Sequence, residues 1–334
     1  WLSRDISRVV QRDQHPWLFD GSVRGGADAP PGGVVAVAWK KRTLAYGFYD
    51  PDSPLRVRLL SWDLSELPGD RWALRIARAA AERRRDDPRL AACSGVRLLH
   101  GESDWAPGLV IDAYSGFGVV RFDGAACEAF WRPLLGAVAR GLAEGGHGLR
   151  GAVTAGGGEE VLWGEPPPRE PLEFEENGVR YEVDVRQGMK TGFFLDQRES
   201  RRQLQRLSKG CSVLDLFSYT GGFAIAAARG GAVRTTTVDQ SAAAVAQSLR
   251  NYRLNGLEAE VADAELPLSL PGQAVHRLVA MDCGAFLSGA RERGELFDIV
   301  VCDPPSMAPS EKARAAALRK YVELNRGSLQ ALRE

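Results

Sequence analysis

The sequence predicts an α/β protein with a doubly wound parallel sheet in its second half, preceded by a small β-rich module and a central α+β domain. Three observations predict it. Ser212 to Ser241 reads strand, small-residue turn, Ala-rich helix, then a strand ending on Asp239. Two later apolar runs also end on acids, at Asp282 and at Asp303. Ahead of them, short apolar stretches alternate with Pro/Gly turns up to residue 65, the pattern of short β-strands.

The chain has 334 residues, enough for two or three domains, and its formal net charge is zero, so nucleic-acid binding would have to come from local patches. No apolar run approaches the ~20 residues of a membrane span, and no signal peptide is visible. The 5 cysteines are scattered without a C-x-x-C pair, which predicts reduced thiols and a cytoplasmic protein. The 4 histidines are isolated, so no metal site is expected. The chain starts at Trp1 without a methionine and stops at Glu334 within a helical pattern, which reads as a piece of a longer protein.

Taken in order, residues 1–65 form the first module. Strands are expected over Val34–Ala38, Thr43–Tyr49 and Leu55–Leu60, with a surplus of Arg and Lys over local acids. Trp72–Arg85 is an Ala/Arg-rich helix leading into the central domain, residues 71–170. There the expected strands are Val96–Leu99, Leu109–Asp112, Gly118–Phe122, Gly151–Val153 and Val161–Trp163, with one helix over Cys127–Leu142. The loop His100-Gly101-Glu102-Ser103-Asp104 holds acid/base groups, but nothing nearby completes a catalytic set, so it reads as a turn.

The third domain, 171–334, opens with a hairpin over Glu173–Val185 turned by Asn177-Gly178. The segment from Gly188 to Arg198 suits a lid, with Asp196 or Gln197 near the bound ligand. Arg198, Arg202 and Arg206 share one helix face with Lys209 beyond, either to follow an RNA backbone or simply to face solvent. After Asp239 come a helix, Ala242–Leu254, and an irregular stretch, Glu258–Val275, read as an insertion. The third strand is His276–Met281 and the fourth Phe297–Cys302, followed by Asp303-Pro304-Pro305-Ser306.

The residue types select a nucleotide. A dinucleotide site needs G-x-G-x-x-G, and a P-loop needs Gly-Lys-Ser/Thr; the turn after the strand that starts at Ser212 has neither. The turn is Ser218-Tyr219-Thr220-Gly221-Gly222, and an acid, Asp215, lies inside the strand before it. Such a site suits a ligand with an ammonium group and no phosphates, and S-adenosylmethionine fits. Asp215 would act on the methionine amino end and Asp239 would accept the ribose hydroxyls. Asp282 would accept from the adenine amino group, with Asp263 as competitor. Asp303 lies at the topological switch point, next to the transferable methyl.

With those residues the chain resembles a family: bacterial class I methyltransferases of large-subunit ribosomal RNA, which join a PUA domain, a small central domain and a Rossmann-like catalytic domain. Their best-known members make 5-methylcytidine. The resemblance rests on HPWLF from His15, HGESDWAPGLVIDAY from His100, GMKTGFFLDQRESRR from Gly188, LDLFSYTGGFAIAAARGGA from Leu214, TVDQS from Thr237 and FDIVVCDPPSMAPSEK from Phe297. It implies a small β-barrel PUA-like domain before a Rossmann-like S-adenosylmethionine methyltransferase domain that is truncated at its C-terminus. The cofactor pocket it implies is lined by Lys190, Phe194, Asp196, Gln197, Asp215, Phe217, Ser218, Tyr219, Thr220, Gly221, Gly222, Asp239, Gln240, Ser241 and Asp282. Asp303, Pro304 and Pro305 would form the catalytic loop at the target base. The implied reaction is methylation of a base of 23S rRNA, with cytosine carbon 5 favoured. Guanine methylation and a non-catalytic assembly role are the alternatives, and a homodimer is left open. Carbon-5 chemistry requires a cysteine thiolate; the resemblance places it in a Ser-Cys-Ser type motif beyond Glu334. Cys302 reads as core, and Cys283 is badly placed for the target base.

Overall fold

The computed structural model describes residues 2, 6–24, 28–156, 160–186, 188, 191–262, 275–308 and 313–334. These fall into two compact units. The first comprises 1–174 and 183–195, the second 175–182 and 196–334.

In the first unit, helix α1 (Ser7–Gln11) precedes strands β1 (Trp17–Phe19), β2 (Val34–Trp39), β3 (Arg42–Tyr49) and β4 (Leu55–Ser61). They make an antiparallel sheet in the order β1-β4-β3-β2. Leu18, Val37, Leu44, Val57 and Leu59 fill its core. Helix α2 (Asp70–Arg85) leads to β5 (Gly95–His100), β6 (Leu109–Tyr114), β7 (Phe117–Phe122), α3 (Ala125–Trp131), α4 (Leu135–Glu144), β8 (Gly151–Thr154) and β9 (Val161–Gly164). The second sheet runs β5-β6-β7-β8-β9.

Helix α4 lies close against α2. A Cβ at Gly141 would sit 2.3 Å from the Leu74 carbonyl oxygen, and one at Gly145 would sit 2.5 Å from Ala81 Cβ. The single helix expected over Cys127–Leu142 is instead two, α3 and α4, separated by a 3-10 turn at Arg132–Leu134. Pro133 is the reason, since it has no N–H for the helical ladder and its ring crowds the preceding turn.

The hairpin is β10 (Leu172–Glu176) and β11 (Val179–Val183). Asn177 and Gly178 both take positive φ at its tip, 53° and 77°, as a tight hairpin turn requires. The division between the units runs through this hairpin.

The second unit contains α5 (Arg198–Leu207), β12 (Ser212–Leu216), α6 (Gly222–Arg229), β13 (Arg234–Asp239), α7 (Ala242–Leu254), β14 (Glu260–Val261), β15 (Val275–Ala280), α8 (Cys283–Glu292), β16 (Ile299–Cys302) and α9 (Arg314–Gln330). The sheet is parallel, in the order β14-β15-β13-β12-β16. Strand β12 is buried along its whole length, as expected where helices cover both faces. Its alternation sorts the layers: Leu214 and Leu216 join the core with Phe286 and Leu324, while Val213 packs with Leu204 and Ala227.

Two readings change. The stretch taken as an insertion begins with β14, an edge strand paired to β15; two residues are too short to show period-2 alternation. The C-terminal helix ends at Gln330, and Leu332 forms a parallel bridge with Phe297. Among the described residues, no helix is long and apolar enough to cross a membrane.

Candidate active site

The order β15-β13-β12-β16 means that the chain winds outward from β12 on one side and returns to pair β16 on the other. The switch point therefore lies between the carboxyl ends of β12 and β16, where Leu216 pairs with Cys302. The turn after β12, Gln240 and Ser241 after β13, Asp282 after β15 and Asp303 after β16 all emerge at this end.

The turn after β12 is held in a costly conformation. Phe217 and Tyr219 both sit in the left-handed region, at φ 57° and 49°, which bulky residues rarely adopt and which clusters at functional sites. Its fastenings are explicit. The Phe217 N–H donates to Cys283 Sγ (3.3 Å) and the Ser218 N–H to the Val238 carbonyl (3.1 Å). The Tyr219 N–H donates to Asp239 Oδ2 (2.8 Å), while Asp239 Oδ1 accepts from the Ser241 N–H (2.8 Å). Gly221, at φ 79°, lets α7 close in, since a Cβ there would meet Ser248 Oγ at 2.1 Å. Gly222 then begins α6.

Asp215 shares its side of β12 with Val213, so its carboxylate faces α6, and Oδ2 accepts from the Ala224 N–H (3.0 Å). Oδ1 is buried and has no partner among the described residues, and the same holds for Thr220 Oγ1. Burial, chiefly, pushes the Asp215 carboxyl up to about 7; the carboxylates of Asp239 and Asp303 add to the effect. A buried acceptor without a donor is an unmet demand that an ammonium group would satisfy. Acids at the ends of β13, β15 and β16, with no phosphate cradle, complete a set whose chemistry fits S-adenosylmethionine.

The remaining predicted residues take varied places. Gln197 Nε2 donates to Asp303 Oδ2 (3.0 Å), tying the start of α5 to the loop after β16. Asp282 is exposed and caps α8, its Oδ1 accepting from the Ala285 N–H (2.9 Å). Asp196 and Gln240 are exposed, and Ser241 caps α7. Phe194 is half-buried and belongs to the first unit. Lys190 lies outside the described residues, as does Asp263, the competitor of Asp282. The Arg198–Arg202–Arg206 face is not one open basic stripe. Arg198 is buried and pairs with Glu176 (3.2 Å), which also takes Arg201 (2.7 Å).

Several supporting residues escaped the sequence reading. Tyr321 OH donates to the Pro305 carbonyl (3.2 Å) and accepts from the Met307 N–H (3.2 Å), clamping the loop after Asp303. Tyr181 OH donates to the Gly222 carbonyl (3.1 Å), and Asn251 Nδ2 donates to the Thr220 carbonyl (3.1 Å). Their only sequence signal is a polar group within an apolar pattern.

Known proteins resemble this chain in sequence and in fold. Residues 147–323 match the S-adenosylmethionine-dependent methyltransferase family, and residues 11–62 match a PUA-like domain. The ribosomal RNA large subunit methyltransferase of Deinococcus radiodurans is 39% identical over 96% of this chain and 78% of its own. The chain belongs to the S-adenosylmethionine-dependent methyltransferases of the ribosomal RNA large subunit methyltransferase I type. A further relative of this methyltransferase, ribosomal RNA large subunit methyltransferase I of Aeromonas salmonicida, is 35% identical over 96% of the chain and 79% of its own. The crystal structure of SMU.776, solved as a methyltransferase complexed with SAH, superposes with a TM-score of 0.80 at 25% identity, covering 98% of this chain and 81% of that one. The methyltransferase thus uses S-adenosylmethionine, which supplies an electrophilic methyl on a sulfonium centre.

Proposed function

We propose that this methyltransferase modifies a base of large-subunit ribosomal RNA, with cytosine carbon 5 as the favoured atom. The observation that carries the substrate class is the relatedness, at 39% identity over 96% of the chain, to an enzyme named for that substrate. In this reading Asp215 takes the amino group of the cofactor, Asp239 its ribose hydroxyls and Asp282 its adenine. Asp303 is oriented by Gln197 while Pro304 and Pro305 keep the loop extended and Tyr321 clamps it, giving the flipped base a preformed edge. Turn residues Phe217 to Gly222 shape the floor of the pocket.

The preference for carbon 5 rests on the family resemblance, and the two buried cysteines are not poised as nucleophiles. Cys283 is buried, with its thiol pushed up to about 12 by that burial. Burial likewise pushes Cys127 up to about 11. Cys302 packs against the core of the second unit. Methylation of a guanine ring nitrogen, which needs no thiolate, is the second reading.

The deciding experiment incubates the enzyme with methyl-labelled S-adenosylmethionine and undermodified large-subunit rRNA, digests the RNA and identifies the labelled nucleoside by mass spectrometry. Label in 5-methylcytidine is the expected result. Label in a methylguanosine would replace the target atom while keeping the site, and cofactor binding without label on any RNA would overturn the substrate class.

A further inference from the structure

Two motifs of the first unit, His15-Pro16-Trp17-Leu18-Phe19 and His100-Gly101-Glu102-Ser103-Asp104-Trp105, take no part in the site above. They meet. Trp17 Nε1 donates to Glu102 Oε1 (2.8 Å), and the same carboxylate oxygen accepts from Arg58 Nη1 (2.7 Å). Arg58 is nearly buried and also holds Asp123 (2.7 Å). Three residues beyond Glu102, Trp105 sits in the left-handed region at φ 59°, an uncommon state for so large a side chain. Its ring packs edge-on with Trp62 at 5.4 Å between centroids. The Trp62 indole N–H in turn donates to the Val10 carbonyl.

Most aromatic side chains in the described chain are at least half-buried. The aromatic members of the exposed large apolar set are Trp17 (39%), Phe19 (50%) and Trp105 (47%), and all come from these two motifs. Trp17 and Phe19 alternate with buried Leu18, so they share the outer face of β1. Trp17 is fixed by its hydrogen-bonded edge, Trp105 by its packing against Trp62, and both leave much of their surface in water. Glu102 shares the Arg58 guanidinium with Asp123, which partly offsets the charge of the two carboxylates beside the rings.

We propose that Trp17, Phe19 and Trp105 form a stacking platform for unpaired bases of the RNA, separate from the site of methyl transfer. It rests on the reading that the substrate is RNA. Rings fixed in advance lose little entropy on binding, and every base offers a π-face, so the platform would select single-stranded over duplex RNA with little sequence preference. The strained backbone at Trp105 is then part of the preorganisation.

The test measures binding of a labelled single-stranded oligoribonucleotide of about twelve nucleotides, a length typical of single-strand sites, and of its duplex, by fluorescence anisotropy on the full chain. The Trp17→Ala/Trp105→Ala variant should lose about tenfold or more in single-strand affinity. Its salt slope, duplex affinity and S-adenosylmethionine affinity should stay unchanged, since no phosphate or cofactor contact is removed. Trp17→Phe/Trp105→Phe should retain most of the binding. If the alanine pair does not fold, Trp105→Gly, which suits the left-handed turn, must show the loss by itself. Unchanged single-strand affinity in a folded variant would overturn the platform and leave the RNA reading standing. So would a wild-type dimer that the alanine pair breaks, which would make the patch a contact between copies. Failure of the wild type to bind any RNA would remove the RNA reading and the platform together.

Discussion

Asp215 is where burial and function pull against each other. Its carboxyl, pushed up to about 7, holds its proton in the folded chain at pH values where the unfolded chain has lost it. Its contribution to folding is therefore fully present below the ordinary carboxylate range and is lost as pH rises through about 7. Binding runs the other way, because a cationic amino group wants the ionised form. We expect S-adenosylmethionine affinity to rise with pH up to about 7 and then level off, and Asp215→Asn to flatten that profile. Calorimetric titration between pH 5.5 and 8.5 reads it directly; a wild-type profile as flat as the variant's would take Asp215 out of the pocket. The chemistry of this residue was legible from one acid in an apolar strand. Its unpartnered oxygen was not, because that depends on α6 and on the neighbouring strands.

At the scale of elements, the site depends on ties that cross from one element to another. Tyr321 on α9 makes the two hydrogen bonds that hold the loop following Asp303. Tyr321→Phe should lower methyl transfer by about tenfold, as a loosened positioning loop does, with cofactor affinity unchanged and a stability loss of about 1 kcal/mol. A single-turnover rate equal to wild type would remove Tyr321 from loop positioning. The second tie is Glu176 on β10, fully buried between Arg198 and Arg201 of α5. Glu176→Ala removes the buried carboxylate that pairs with Arg198 and Arg201 and should cost about 3–5 kcal/mol, read as a lower urea midpoint. A cost under about 1 kcal/mol, the range of a surface pair, would mean that water reaches the pair. From sequence alone the arginines of α5 looked like one basic stripe, since helical spacing says which residues share a face and not which face turns inward.

Across the whole molecule, net charge is zero, and many arginines are committed to ion pairs, among them Arg56, Arg58, Arg84, Arg97 and Arg201. Among the described residues, the exposed cations of the first module are Arg8, Arg12, Arg24, Lys40, Lys41 and Arg42. We therefore expect RNA affinity to fall with salt, by about 0.7 in log–log slope for each single-strand phosphate neutralised. S-adenosylmethionine binding should stay nearly flat over the same range. Parallel titrations from low to physiological salt compare the two, and an RNA affinity indifferent to salt would exclude these cations from the interface.

By itself the sequence determined the α/β class, the run from β12 through α6 to β13, the cofactor and the acids at the strand ends. These follow from periodicity, turn residues and charge within short windows, and such signals act between near neighbours in the chain. Only the tertiary structure decided that Gln197 holds Asp303, that Tyr321 clamps the loop beyond it, that Arg198 and Arg201 turn inward to Glu176, and that Trp17 reaches Glu102. The Trp17–Glu102 contact spans 85 positions and the Gln197–Asp303 contact 106. Partnerships at such separations are set by how sheets and helices pack, and no local pattern of residues encodes them.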